Sequence, residues 1–325
     1  MSVLSELAFS ADDLALTRFA VSPMWEVVAG FRLLVSRAAH PVHRPWTDQV
    51  RSRVDDAGLT AGWLADLIPP QNYLCDFLTP FPAESAPSLD VELAAIRATP
   101  AAFVRHDIGK LTRDSARIRA LRADPERWLP QITEEIETFW ELALAPYWAK
   151  IRAVLDAEVF HRARQVAEYG TARLFNDLHA TVSWDDSTLR LVRRCCVLSR
   201  QTAGPGLLLV PSVFAAGVLT WMRLPDPPQL AYPARGTGTL WERRPPARAE
   251  AIAAVLGRSR TRLLTELAAP ASTTELAGRT GISAAGVSQH LAALRGAGMV
   301  SAHRAGRSVL YARTAVAETL LSATG

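Results

Sequence analysis

Residues 272–311 read STTELAGRTGISAAGVSQHLAALRGAGMVSAHRAGRSVLY, and their punctuation is dense. Ser272-Thr273-Thr274-Glu275 has capping-box spacing, in which the serine hydroxyl and the glutamate carboxylate satisfy orphan amides reciprocally. The helix it opens runs only to Thr280, where Gly281 supplies a turn. Ser283 then caps a second helix that continues to about Gly296. Two short helices joined by a tight glycine turn, the second the longer, form the helix-turn-helix pattern.

The second helix divides its faces. Val287, Leu291 and Leu294 share one stripe at 3.6 residues per turn and are expected to point inward. Ala285, Ser288, Gln289 and Ala292 fall opposite, a small and polar side able to enter a major groove about 12 Å wide. Gln289 can read adenine through paired hydrogen bonds, and Ser283 and Ser288 can reach phosphate or base edges. His290, on the flank, touches backbone or simply packs. Beyond Gly298, Val300, Val309 and Tyr311 alternate around Arg304-Ala305-Gly306-Arg307, which predicts a β-hairpin wing with a basic tip. The expected contacts to duplex DNA are Thr273, Ser283, Ala284, Ala285, Ser288, Gln289, His290, Arg295, Arg304 and Arg307. The competing reading takes the arginines as ordinary surface charges on a module that docks a protein partner.

Thr273-Thr274-Glu275-Leu276-Ala277, Ile282-Ser283, Val287-Ser288-Gln289-His290-Leu291, Leu294-Arg295, Gly298-Met299-Val300 and the wing through Tyr311 resemble the ArsR-type winged helix-turn-helix. The resemblance covers about the last quarter of the chain. It implies a bacterial regulator, usually a homodimer and often a repressor released by a ligand. Residues 23–26 and 40–46 (HPVHRPW) are similar to an N-terminal domain of long ArsR-like proteins, for which no general function is implied. Metal-sensing members often carry paired cysteines on the helix before the recognition helix. Here that helix has none, and His290 and His303 lack ligand company, so no metal or other cofactor is expected.

Working outward, residues 247–256 and 259–267 read as helices with apolar faces built from Ile252, Val255 and Leu256 and from Leu263, Leu264 and Leu267. Pro245-Pro246 sits where the charge balance changes. From Arg243 onward eleven arginines face four glutamates, a net +7, whereas the preceding residues hold 25 basic against 28 acidic groups, a net −3. That asymmetry points to a polyanionic partner for the basic part. It also sets the expected domains at 1–242 and 243–325.

The predicted class is α+β: a mostly helical N-terminal domain with a small antiparallel sheet, then the winged module. Residues 10–13 open a helix after a strand containing Leu7, and a helical run is expected to break near Pro23. Residues 47–68 continue helical, 69–88 is irregular, 89–123 reads as two helices separated at Pro100, and Pro125 starts a stretch that is two long helices or one kinked at Pro146. Residues 181–184, 188–192, 207–210, 218–222 and 230–232 read as strands, with a hairpin at 185–187. No window approaches 18 uncharged apolar residues, and the first residues lack a basic region before an apolar core, so a cytoplasmic protein without membrane attachment is expected.

Candidate sites upstream are weaker. His40 and His43 have metal-like spacing but no third ligand. Cys195-Cys196 among arginines could form a redox switch, and buried reduced thiols are the simpler reading. Gly204-Pro205-Gly206 lacks the residues of a phosphate loop. Glu134, Glu135 and Glu137 share one helix without a nucleophile or partner histidine, so no enzyme is expected. Among nine tryptophans, Trp25, Trp46, Trp140 and Trp148 could line a pocket for a small organic effector. The N-terminal domain is thus expected to sense such a molecule or to enlarge a homodimer interface.

Overall fold

A computed structural model describes residues 3–36, 40–185, 187–193, 199–200, 206–221, 226–241, 249–306 and 308–322. The fold is α+β, with a helix-turn-helix near the C-terminus. The chain divides into two compact units, one of Met1–His40, Thr60–Ile136 and Val154–Gly236, the other of Pro41–Leu59, Glu137–Ala153 and Thr237–Gly325. The expected boundary lies outside the described residues, and a single cut there would not separate these units. The second unit takes in residues 41–59 and 137–153, which lie far upstream of Arg243.

In the first unit, one sheet sets Val182–Asp185, Thr188–Arg193, Val3–Ala8 and Ser199–Arg200 side by side. The hairpin between the first two forms as expected, with Ser187 at φ 61° in its turn. The second sheet orders Arg18–Phe19, Leu208–Ser212, Gln229–Pro233 and Leu219–Trp221. Its first two pairings are parallel and only Leu219–Trp221 runs antiparallel to its neighbour. Leu208–Ser212 is buried at every residue, as a strand covered on both faces must be, so its apolar run carries no alternation to mark an antiparallel partner. Arg18–Phe19 is too short to show any period against its helical surroundings.

Leu7, Phe9, Leu174, Phe175, Leu189, Leu209 and Tyr232 form one core of this unit. Pro23 does not break a helix; it begins one, Pro23–Val35, capped by Ser22, whose hydroxyl accepts from the Trp25 amide at 3.2 Å. Almost every residue of that helix is buried. Gly206 (φ 91°) sits so close to Leu16 that a Cβ would fall 2.6 Å from its carbonyl oxygen, and its amide donates to Asp13 Oδ1 at 3.1 Å. Gly204 and Pro205, the rest of that motif, lie outside the described residues.

In the second unit, the break or kink expected at Pro146 is a π-helical turn, Trp140–Leu144, followed by a 3-10 turn, Ala145–Tyr147. Around it an aromatic knot explains why upstream segments belong here. Trp241 stacks near Trp46 and meets Tyr147 and His43 edge-on, with centroids 6.5, 5.5 and 6.1 Å away. Trp46 is fully buried and donates its indole N–H to the Ala143 carbonyl at 2.7 Å, and the Tyr147 hydroxyl donates to Gln49 Oε1 at 3.0 Å. Charge follows position along the chain, whereas packing follows these contacts, so the two divide the chain differently.

Candidate nucleic-acid interface

The module is built on three helices, Arg258–Glu266, Thr273–Thr280 and Ala284–Gly296, around Leu263, Leu264, Leu276, Val287, Leu291 and Leu294. The capping box forms as its spacing predicts. The Ser272 hydroxyl accepts from the Glu275 amide at 3.3 Å, and Glu275 Oε2 accepts from the Ser272 amide at 2.7 Å. Partial burial works to raise the Glu275 pKa, but the Ser272 amide and hydroxyl, helped by Arg279 and Arg53, hold it below the usual carboxylate range. Gly281 ends the helix at φ 70°, a left-handed conformation that a side chain resists. Two residues later the Ser283 hydroxyl accepts from the Gly286 amide at 3.2 Å and starts the next helix.

On Ala284–Gly296 the stripe of Val287, Leu291 and Leu294 is buried, and Ser283, Ala284, Ala285, Ser288, Gln289, Ala292 and Arg295 are exposed. His290 is half-buried at the flank, and Thr273 is half-buried in the first turn of its own helix. The sequence-derived face is therefore a continuous outer surface of one helix.

The wing pairs Val300–Ala305 with Ser308–Arg313 antiparallel, with Gly306 at φ 60° in its turn. Arg304 is exposed next to that turn; Arg307 lies outside the described residues. Leu310 and Ala312 form the buried side of the second strand, and Val309 faces outward. Three features of the wing escape the sequence reading. Ala271 adds a bridge to it, exchanging both backbone hydrogen bonds with Tyr311 at 3.0 and 2.8 Å. Arg313 is buried and donates to the carbonyls of Leu264 and Thr265 at 2.6 and 2.7 Å, closing the end of helix Arg258–Glu266. The first strand packs on the turn Trp140–Leu144, where His303 Nδ1 lies 3.4 Å from Glu141 Oε2, and Lys150 Nζ donates to the Ala268 carbonyl. Arg313 shares the parity of the outward Val309, so the strand pattern does not mark it as buried, and nothing local announces the distant partners of the other two.

The remaining candidates resolve into structural roles. His43 is buried and accepts from the Trp241 indole at 3.2 Å. Glu135 accepts from the amides of Trp63 and Leu64 at 2.9 and 2.8 Å, so it caps helix Trp63–Leu67 and does not stand on a solvated face. Trp25 and Trp46 are core residues; the Trp25 indole donates to Gln229 Oε1 at 3.0 Å. Trp140 and Trp148 are half-buried and pair with each other, centroids 4.8 Å apart. Cys195 and Cys196 lie outside the described residues. Among the described residues no helix is long and apolar enough to cross a membrane.

Residues 255–301 match the family model of a helix-turn-helix domain. A module of this class, with a capped helix pair and an adjoining β-hairpin, suggests DNA-binding regulation. No curated protein and no solved structure matches the chain.

Proposed function

We propose that this chain is a sequence-specific regulator of transcription of the ArsR-like type, acting without catalysis. The observation that carries the reading is the exposed face of Ala284–Gly296, small and polar from Ser283 to Ala292 over a fully buried apolar stripe. That helix would lie in the major groove with Gln289 on adenine and Ser283 and Ser288 at its edge, while Arg304 and Arg307 hold phosphates beside it. A homodimer would present two such helices to an inverted repeat. Support for pairing comes from apolar side chains left in solvent on the two outer helices of the module: Val255 of Ala249–Leu256, 84% exposed, and Val316 of Ala315–Ser322, 58% exposed. A repressor released by a small organic effector is the finer form of this proposal, with no metal, cofactor or membrane involved and a cytoplasmic site of action.

The same exposed valines favour one other reading, a module that docks a protein partner and touches DNA only non-specifically. Selection of genomic DNA fragments by the purified chain at about 50 and 200 mM salt separates the two, because non-specific phosphate contacts weaken steeply over that range. Recovery of an inverted repeat at the higher salt supports the regulator. Sequence-blind recovery that vanishes with salt supports docking.

A further inference from the structure

Helix Arg258–Glu266 carries three arginines, Arg258, Arg260 and Arg262, within its first five residues. All three are exposed, and among the described residues none forms an ion pair. Several arginines elsewhere are paired: Arg44 with Asp48, Arg113 with Asp66, Arg164 with Glu168, Arg173 with Asp177 and the half-buried Arg190 with Glu6. The position is also the wrong one for cations. The start of a helix carries the positive end of its dipole, so positive side chains there are unfavourable, and the like charges of Arg258 and Arg262, four residues apart, repel. Some helices of this chain follow the rule, with Asp90 and Glu92 in the first turn of Leu89–Arg97 and Glu275 in that of Thr273–Thr280; where Arg44–Asp56 and Ala116–Ala123 carry arginines at their start, Arg44 pairs with Asp48 and Arg117 with Asp66. Helix Arg258–Glu266 has no acidic residue in its first turn, and its N-cap, Gly257, provides no side-chain hydrogen bond to the amides.

An arrangement that destabilises the helix in isolation becomes favourable when an anion neutralises it. We infer that Arg258 and Arg262, one turn apart on the same face of the helix, form a second phosphate-binding track for the backbone of duplex DNA, outside the recognition helix and the wing; Arg260 projects from the other side, where it donates to the Leu256 carbonyl. The inference rests on the DNA-binding reading above and widens its footprint: these side chains would add affinity without reading sequence.

The test uses the full chain and its selected operator duplex. R258A/R262A is expected to lower affinity at least about fivefold at about 150 mM salt and to reduce the log–log salt slope by about 1 to 2, with the preferred sequence unchanged. The Tm of the free protein should stay level or rise, because the charge repulsion at the helix start has been removed. R258K/R262K should keep most of the slope. An unchanged slope in the alanine variant, alongside a reduced one for Arg304→Ala, overturns this track and leaves the DNA-binding reading standing. A fall in Tm that accompanies the loss of binding assigns the arginines a structural role and also overturns it. Failure of the unaltered protein to bind any duplex removes both.

Discussion

Gln289 and Arg304 are both exposed on the same module, yet they should fail in different ways when replaced. Gln289→Ala removes a base-edge contact, so discrimination at one position of the operator should fall by about 1–3 kcal/mol while the salt slope holds. Arg304→Ala should weaken all duplexes alike and flatten the slope by about 1, and fragment selection followed by salt titration reads both. Equal loss from the two changes would place the recognition face elsewhere. A different residue-scale test concerns Glu26 in the first unit. It is fully buried, with Oε1 accepting from the Val213 amide at 3.0 Å and Oε2 without a partner, and burial pushes its pKa up to about 8. Glu92, which accepts from the Ser22 hydroxyl and the Met24 amide, is likewise raised by burial to about 7. Between the ordinary glutamate value and these raised ones, the folded chain keeps protons that the unfolded chain has released, so stability is greatest in acid and declines as pH rises toward 8. Thermal melts from pH 5 to 8.5 should show that decline, and Glu26→Gln should remove part of it. A variant whose melts track the unaltered protein at every pH would show that Glu26 is not the group responsible.

Helix ends were the most readable elements. Ser272, Ser283 and Gly281 act through bonds to residues two to four positions away, so their chemistry is written locally in the sequence, and the capped helix pair follows from it. Ser272→Ala, which removes the hydroxyl from that box, should cost about 0.5–2 kcal/mol, visible as a lower denaturation midpoint with unchanged steepness. Less legible were elements whose partners are remote. Leu208–Ser212 could be placed as a strand from its apolar run, but its parallel pairing with Gln229–Pro233 depends on a layer covering each face, which periodicity does not encode. Arg313 belongs to the same category. Its guanidinium completes the end of a helix nearly fifty residues earlier, and Arg313→Met should leave the Leu264 carbonyl without its donor, while Thr265 keeps the Ala268 amide. That orphaned acceptor costs on the order of 1–3 kcal/mol, and Glu318 loses its ion pair with Arg313, so chemical denaturation should register a larger loss than for Ser272→Ala.

At the scale of the whole chain, the unit that carries the recognition helix is assembled from three separate stretches of sequence. The candidate face was legible because amphipathic spacing and capping sit inside one continuous segment. The surrounding aromatic knot was not, because Trp46, Tyr147 and Trp241 are brought together only by the tertiary fold. A fragment limited to residues 249–325 would keep the capped helices and the wing but lose the turn Trp140–Leu144 beneath the first wing strand and the Lys150 contact to Ala268. Its wing amides should exchange hydrogen faster than in the full chain, and its melting temperature should be lower; equal protection would mean that the helices and hairpin suffice alone. The discontinuity also orders events in time. Synthesis delivers residues 41–59 and 137–153 well before the segment that joins them, so Trp46 and Tyr147 emerge from the ribosome with their eventual neighbour Trp241 not yet made. The unit closes late, through contacts of high sequence separation that form slowly, and during that interval its nascent aromatic surface is a substrate for chaperones or for aggregation.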